Sequence, residues 1–412
     1  MTDIFEEAHV DSSRRSFANL LTSTSVSSFG AAISIISVNW IVYHYTHSSI
    51  DISYVGLTGI IPGIIFGIFA GVLADKYNRR KIMVLSDLFR MTFIGILSLS
   101  LYFFGFSLVL ILVTMLIVNS FSSLFLPASQ AIIPRIIKQE GLEHANGLLQ
   151  GMQAGMISIG SAAGGIIVTT AGASLGLGIN AMTYALSALF LVQISGEFGK
   201  IVKSGDHLKK GTMHDIGVGF RYMKENTPIL EITLGFLPVN FFTALVETFL
   251  VVYAAMHFPS NAPSYGYLVA GITLGIVVGS ITVERIHARK FAGWLMGACI
   301  FANAAGIYVL VISQNEFLAI MGSIILGLAI GLINTTFLST IQALVPNEFL
   351  ARVMSVDSVG SMAAVPAGIV AGGILIATYG INMTYIISAA GMTLVGGIVL
   401  SMKGFRNVKF TG

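Results

Sequence analysis

Apolar runs long enough to cross a lipid bilayer recur along the whole chain. The hydrocarbon core of a bilayer is about 30 Å thick, and a helix of about 20 apolar residues crosses it. The apolar residues follow helical spacing rather than strict alternation, which favours helices over a β-barrel. We therefore predict an all-α membrane protein with twelve transmembrane helices. The predicted spans are 16–45, 51–74, 82–104, 107–130, 144–171, 174–196, 229–257, 264–284, 291–313, 316–345, 353–378 and 382–402.

Charged residues predict the orientation of the chain. Only 10% of the 412 residues are charged, and in this arrangement every Lys and Arg except Arg90 falls in a tail or connection on one side. Cytoplasmic loops of membrane proteins are enriched in Lys and Arg. We therefore expect a multi-pass protein of the cell (inner or plasma) membrane with both termini in the cytoplasm. The net charge of +3 follows from this topology and does not call for a nucleic-acid partner.

Internal repeats divide the chain into two similar halves. The matching segments, in order, are 125–134 with 337–346, 163–166 with 371–374, and 182–188 with 383–389. We predict an N-terminal six-helix bundle at 1–200 and a C-terminal six-helix bundle at 227–412. Because six is even, both bundles have the same orientation, as in parallel transporter repeats.

The long polar connection between the halves, 201–226, is predicted to be a cytoplasmic linker. Apolar residues recur within it at helical spacing: Met213, Ile216, Phe220 and Met223. This pattern favours a short amphipathic helix lying at the membrane interface. An ordinary solvated linker is the alternative.

Glycines form stripes with a four-residue period on three spans. They are Gly59, Gly63, Gly67 and Gly71 on span two, Gly147, Gly151 and Gly155 on span five, and Gly271, Gly275 and Gly279 on span eight. Small residues let helix backbones approach closely in a membrane. We expect close helix packing along each stripe, either at sliding interfaces or in static contacts.

The turn between spans two and three carries a dense group of charges. Its sequence resembles the signature Gly-x-Leu-x-Asp-Arg/Lys-x-Gly-Arg/Lys-Arg/Lys of the major facilitator superfamily. The matching residues are Gly71, Leu73, Asp75, Lys76, Arg79 and Arg80. Asn78 stands where the signature has glycine, and asparagine is the residue that best replaces glycine in a left-handed turn.

Three further segments are similar to the macrolide and siderophore exporter branch of this superfamily. They are 87–90, 127–134 and 345–355. The resemblance implies the major facilitator fold of two six-helix bundles, and it implies that Gly71, Asp75, Lys76, Arg79 and Arg80 form a gating motif. Asp75 and Arg79 would then latch one conformational state, whereas the alternative is a plain positively charged loop.

One departure from that resemblance bears on proton coupling. Proton-coupled exporters of the superfamily usually carry an arginine in span four, and Asn119 lies in the matching neighbourhood. An asparagine cannot supply that charge, which puts the usual arginine-centred route of coupling in doubt.

Glu247 is the acidic residue that most needs an explanation, because it lies inside span seven. A carboxylate in hydrocarbon costs several kcal/mol unless it is paired, protonated or facing water. We predict that it faces the central cavity and binds a proton or a cationic substrate, together with the polar span residues Asn39, Asn119 and Asn240. The alternative is a permanently neutral Glu247 with asparagines that only bond helices together.

Asp87 and Arg90 lie three residues apart in span three, so they share one helix face. We predict that they form a structural charge pair near the cytoplasmic end of the span.

The predicted function is multidrug efflux by a secondary-active antiporter, and this prediction depends partly on excluding other classes of protein. Neither His-Glu-x-x-His, Gly-x-Ser-x-Gly nor an ATP-binding Gly-x₄-Gly-Lys-Ser/Thr motif occurs, which argues against an enzyme or an ATP-driven pump. One cysteine, Cys299, excludes a disulfide framework and a cysteine metal site.

 We expect alternating access between the two bundles to carry hydrophobic or amphiphilic small molecules, neutral or cationic, out of the cell. A cavity with one acid and no deep base suits such substrates better than an anionic siderophore. Proton coupling is the expected energy source, and a facilitator or importer with the same fold is the alternative. We expect a monomer in the lipid bilayer that needs no cofactor or metal.

Overall fold

The computed structural model describes residues 2–137, 139–194, 212–258, 262–285 and 292–406. Side chains are described for all of these except 2–12, 67–76, 140, 212–216, 284–285, 347, 403 and 406. Within these ranges the regular secondary structure is entirely helical.

Thirteen α-helices follow one another in the described ranges. They are α1 (Thr2–Thr46), α2 (Ser49–Lys76), α3 (Arg79–Phe104), α4 (Leu108–Ile136), α5 (Leu142–Val192), α6 (Thr212–Glu225), α7 (Thr227–Thr248), α8 (Leu250–His257), α9 (Ala262–Arg285), α10 (Ala292–Ile312), α11 (Glu316–Leu344), α12 (Asn347–Ser401) and α13 (Lys403–Arg406). A short 3-10 turn, Gln139–Gly141, precedes α5.

Ten helices in the described part of the chain are long and apolar enough to cross a membrane. Two of them, α5 with 51 residues and α12 with 55, have about twice the length that one crossing needs. Each is interrupted once, at Gly172 (φ 86°, ψ 159°) and at Gly380 (φ 80°, ψ 168°). Only glycine adopts this backbone conformation readily. The two interrupted helices therefore account for four of the twelve predicted crossings.

Contacts with α1 show that α5 folds back on itself at Gly172. Before the break, 160–164 lies along 29–36 of α1 and runs in the same direction. Beyond the break, 176–187 lies along 37–23 and runs in the opposite direction. The two segments of α5 are thus the two arms of a helical hairpin.

The helix α12 repeats this arrangement at Gly380. Its segment 360–372 follows 237–249 of the α7 and α8 region, and its segment 385–399 returns along 246–235. The two breaks occupy corresponding places in the two halves, in agreement with the repeated sequence segments.

Contacts between residues divide the chain into two compact units. The first unit comprises Met1–His47 and Tyr54–Ser204, and the second comprises Ser48–Ser53 and Gly205–Gly412. The beginning of α2 belongs to the second unit because it is bonded to α12. The Ser49 hydroxyl donates to the carbonyl oxygen of Gly373 at 2.8 Å.

The glycine stripe on span eight, now part of α9, packs directly against α11. A methyl group at Gly275 would overlap the carbonyl oxygen of Ile324, and one at Gly327 would overlap that of Ile272. The two backbones are therefore in van der Waals contact, and the prediction of close packing is confirmed for this stripe. The other glycines at this contact are Gly271, Gly279 and Gly331.

The prediction of close packing is wrong for the other stripes, as far as they are described. Open space lies beside Gly59 and Gly63 of α2 and beside Gly147, Gly151 and Gly155 of α5. A four-residue period of small side chains makes close approach possible, but it does not determine that a neighbouring helix uses it.

Asn78 does not adopt the left-handed conformation expected from its place in the signature. Its backbone is extended (φ −62°, ψ 115°), and its side chain accepts a hydrogen bond from the backbone N–H of Lys81 at 3.2 Å. Asn78 therefore caps the N-terminus of α3, a position at which asparagine is among the preferred residues.

The linker helix α6 is packed against the beginning of α12 rather than surrounded by solvent. The ring of Tyr222 stacks on that of Phe349 with 4.4 Å between centroids, and Met223 is buried. Gly219 lies directly against the carbonyl oxygen of Arg352. The alternative of a wholly solvated linker is therefore wrong.

Candidate functional site

A cavity of about 200 Å³ lies within the second unit, between α7, α11 and α12. Its polar lining consists of Asn240, Thr243, Glu247 and Asn334. The first three belong to α7 and are spaced three and four residues apart, so one face of that helix presents all of them. Thr243 was not among the predicted site residues, although its spacing from Glu247 would have been a signal for it.

Glu247 is partly accessible from this cavity and has no counter-charge. No hydrogen bond or ion pair reaches its carboxylate from the residues that the structure describes, and no Lys, Arg or His lines the cavity. A carboxylate with this environment gains stability from a bound proton or cation.

The helix that carries Glu247 ends one residue later. Phe249 separates α7 from α8 with non-helical angles (φ −102°, ψ 14°). The Tyr385 hydroxyl donates to the carbonyl oxygen of Val246 at 2.9 Å, next to this break. The backbone N–H of Phe249 also donates to the carbonyl oxygen of Val246 at 3.3 Å, so this carbonyl group remains hydrogen-bonded at the break.

Asn240 is held in place by a contact with α12. Its Nδ2 donates to the Ser361 hydroxyl oxygen at 2.9 Å, which leaves the amide oxygen as a further acceptor. The hydroxyl of Thr243 is buried and has no hydrogen-bond partner among the described residues. Ser361 was also missed by the sequence analysis, because a contact between distant helices has no local signal.

The other two asparagines predicted with Glu247 make contacts inside the first unit. The Asn39 side chain donates to the carbonyl oxygen of Ile35 in its own helix at 3.0 Å. The Asn119 side chain donates from α4 to the carbonyl oxygen of Thr58 in α2 at 3.2 Å. These contacts are those expected of residues that join or stabilise helices.

Asp87 and Arg90 form a buried ion pair in the first unit. The Ser187 hydroxyl of α5 donates to the other carboxylate oxygen of Asp87 at 2.6 Å. Ser187 is in turn hydrogen-bonded to Ser23 of α1 at 2.8 Å, so the network joins three helices. The sequence spacing indicated the pair but contained no signal for the two serines.

The guanidinium of Arg90 lies between two aromatic rings. It is 4.4 Å from the ring centroid of Phe125 in α4 and 4.5 Å from that of Tyr184 in α5. Cation–π contacts of this kind stabilise a cation that is removed from water. A buried cation therefore lies against α4, although the arginine belongs to α3.

Three residues of the predicted gating motif, Gly71, Asp75 and Lys76, lie at the end of α2, outside the residues whose side chains the structure describes. The remaining two, Arg79 and Arg80, lie at the beginning of α3 and donate hydrogen bonds to backbone oxygens of other segments. Arg79 Nη1 donates to the carbonyl oxygen of Ala131 at 2.8 Å, and Arg80 Nη1 donates to that of Ile194 at 2.6 Å. These arginines tie α3 to the ends of α4 and α5.

Two repeated sets of membrane-length helices and a polar cavity between helices define the class as a membrane transporter. A family model places the chain more narrowly. The model described as transmembrane secretion effector, of the major facilitator superfamily, matches residues 10–409. The chain belongs to this family.

Curated relatives match almost the whole chain at low identity. The uncharacterized transporter YfiS of Bacillus subtilis is 23% identical, with 95% of this chain and 94% of the relative covered. The multidrug efflux pump Tap of Mycolicibacterium fortuitum is 21% identical, with 92% and 93% covered. Macrolide efflux protein A of Streptococcus pyogenes is 20% identical, with 90% and 92% covered.

Solved structures share the fold. The nucleoside transporter NupG matches with a TM-score of 0.73 and 12% identity, covering 94% of this chain and 98% of that chain. An inward-facing bacterial homologue of the lysosomal transporter Spinster matches with a TM-score of 0.70 and 14% identity, covering 96% and 98%. The predicted fold class, the family and the absence of an enzyme function are thereby confirmed.

Proposed function

We propose that the protein is a proton-coupled exporter of hydrophobic or amphiphilic small molecules, neutral or cationic, which works by alternating access. The observation that carries this proposal is the unpaired carboxylate of Glu247 in a cavity inside a membrane unit. The proton would bind Glu247 in one state of the transport cycle and leave it in the other.

The argument for coupling begins with the environment of Glu247. A charged carboxylate that is removed from water without a partner is unfavourable, so binding a proton lowers its free energy. When the cavity becomes accessible to water, the charged form is stabilised again and the proton is released. Alternation between these two conditions connects proton movement to the conformational cycle.

The lining of the cavity supports the proposed class of substrates. Apolar side chains alternate with amides and one acid, and no basic residue is present to bind an anion. Relatives named as multidrug and macrolide efflux proteins support the same class. Substrates with an apolar body and a neutral or cationic group therefore fit the site best.

The signature turn is proposed to act as a gate, with both termini in the cytoplasm. Arg79 and Arg80 hold the beginning of α3 against α4 and α5. Asp75, whose side chain lies outside the described residues, would make the state-dependent contact. Asp75→Asn should leave the folded protein intact and reduce transport in reconstituted vesicles, and unchanged transport would contradict the gate.

The function can be tested with inside-out vesicles from a host that lacks its own efflux pumps. The wild-type protein should accumulate a fluorescent cationic amphiphile when the vesicle interior is acidified. Glu247→Gln should lose this dependence on the proton gradient. Glu348→Gln is the matched control, because Glu348 is an exposed carboxylate in the same unit.

Two results would count against the proposal. Accumulation by Glu247→Gln with a wild-type response to the proton gradient would remove Glu247 from the coupling mechanism. Movement of the substrate down its own gradient only, with no response to protons, would favour the facilitator alternative.

A further inference from the structure

The cavity around Glu247 contains more oxygen acceptors than one proton requires. One face of α7 presents Glu247, Asn240 and Thr243 to the cavity, and the hydroxyl oxygen of Thr243 is itself buried with no partner among the described residues. Asn334 adds a second amide from α11. Oxygen ligands from carboxylate, amide and hydroxyl groups are those that hard cations prefer.

Neighbouring titratable groups provide no compensating positive charge. The rings of Tyr253 and Tyr385 stack with 5.5 Å between their centroids, and phenols are neutral near pH 7. The hydroxyl groups of Tyr385 and Tyr253 already donate to backbone oxygens at 2.9 and 2.7 Å. They are not available to neutralise the acid.

The helices packed against α7 carry other acids, but these lie several helical turns away from Glu247. Asp357 of α12 precedes Gly360, which packs against Leu237. Leu237 is ten residues before Glu247, or about 15 Å along a helix. Glu316 begins α11, several turns before the part of that helix that lines the cavity.

The charge and the lining of the cavity restrict the kind of cation. A volume of about 200 Å³ holds roughly six water molecules, which suits a partly hydrated ion. One carboxylate balances a single positive charge. No group of three His, Cys, Asp or Glu residues, as a transition metal would use, occurs in the described part of the chain.

We infer that this cavity binds a sodium ion, which competes with the proton for the carboxylate of Glu247. The inference rests on the proposed role of Glu247 and extends it to a second ion. Asn240, Thr243 and Asn334 would supply neutral oxygen ligands, and water would complete the coordination. Sodium and proton binding exclude each other because both neutralise the same charge.

The test measures binding of radioactive sodium to the purified protein, with choline replacing sodium to keep the ionic strength constant. Wild-type protein should show saturable binding that weakens as the pH is lowered. Glu247→Gln should abolish binding, and Thr243→Val should weaken it about tenfold. Gel filtration and thermal unfolding of each variant establish that it is folded.

Thr233→Val is the matched control on the same helix. The hydroxyl of Thr233 is also buried without a described partner, but Thr233 does not line the cavity, so this variant should bind sodium like the wild type. Absence of saturable binding in the wild type, or wild-type binding in Thr243→Val, would overturn the sodium site. Displacement of bound sodium by potassium at equal concentration would also overturn it.

Failure of this inference is distinguishable from failure of the proposed function. Proton-driven efflux in sodium-free vesicles, without sodium binding to the purified protein, overturns the sodium site and leaves the exporter intact. Sodium binding without proton-driven efflux overturns the proposed proton coupling and supports the ion site.

Discussion

Two acids within membrane-length helices of the transporter, one in each unit, have opposite surroundings. Asp87 in the first unit is fully buried and bonded to Arg90 and Ser187. Glu247 in the second unit lines a cavity and has no described partner. A paired charge holds helices together, whereas an unpaired charge is available for a ligand. The two halves of the repeat therefore place their membrane acids in different chemical environments.

Repeated aromatic positions show the same divergence. Phe125 and Phe337 occupy corresponding places in the repeat. Phe125 lies under the Arg90 guanidinium. Phe337 instead lies in an apolar core, with 4.6 Å between its ring centroid and that of Phe236. Tyr184 also contacts Arg90, while its counterpart Tyr385 donates to the backbone of α7. The aromatic side chains are the same at these corresponding positions of the two halves, but they contact different groups.

The largest expected effect on stability comes from removing the partner of Asp87. Arg90→Met leaves a buried carboxylate without a counter-charge, which typically costs about 3–5 kcal/mol. We expect a sharply lower unfolding temperature in detergent and a poor yield of folded protein. Fluorescence-detected thermal unfolding would measure the change.

Removing both charges tests whether the pair itself is the cause. The double variant Asp87→Leu, Arg90→Met replaces the pair by apolar side chains and should recover most of the lost stability. If the double variant is as unstable as Arg90→Met, the aromatic contacts of Arg90 are more important than its ion pair.

The next prediction compares a glycine that contacts a neighbouring helix with a glycine that has open space beside it. Gly275→Ala places a methyl group against the backbone of α11 and should cost about 1–3 kcal/mol. Gly151→Ala adds the same methyl group where space is open and should be neutral or slightly stabilising. Equal unfolding temperatures for the two variants would contradict the tight contact between α9 and α11.

A smaller effect is expected for the polar contact between α4 and α2. Asn119→Leu removes a hydrogen bond to the Thr58 carbonyl oxygen, and such contacts in membranes contribute about 0.6 kcal/mol on average. Thermal unfolding should change little, and transport should persist. Loss of transport in the folded variant would instead support a site that includes Asn119.

The smallest effect on stability is expected for Glu247→Gln. No described ion pair or hydrogen bond is lost, so the free energy of unfolding should change by less than about 0.5 kcal/mol. The contrast with Arg90→Met is the sharpest test of the difference between the two acids. A large destabilisation by Glu247→Gln would mean that this carboxylate has a structural partner.

Much of the fold was predictable because the membrane restricts the choices. Length and hydropathy predicted the membrane-length helices, whereas the orientation predicted from Lys and Arg and the domain bounds predicted from the repeated segments stay predictions. The cost of an unpaired charge in hydrocarbon predicted that Glu247 faces the central cavity; the structure places it at a cavity lined by α7, α11 and α12, and its role there stays a prediction. These predictions depend on properties that a single helix has before it packs.

What could not be predicted depends on contacts between distant helices. Ser23 and Ser187 meet Asp87 only after α1, α3 and α5 have packed, and nothing near them in the sequence identifies the partner. The stripe Gly147, Gly151 and Gly155 of α5 has the same spacing as the stripe of α9, yet of these two stripes only that of α9 contacts a neighbouring helix in the described structure. The spacing of glycines describes the surface of their own helix, but it does not identify the neighbouring helix that packs against that surface.

The hairpins at Gly172 and Gly380 have a practical consequence for experiments on topology. Each joins two long helices through a single residue, so almost no chain is left outside the helices at these points. Epitope tags and protease sites inserted there would force the helix ends apart. Tags that report the side of the membrane should instead be placed in connections that already have several residues outside the helices.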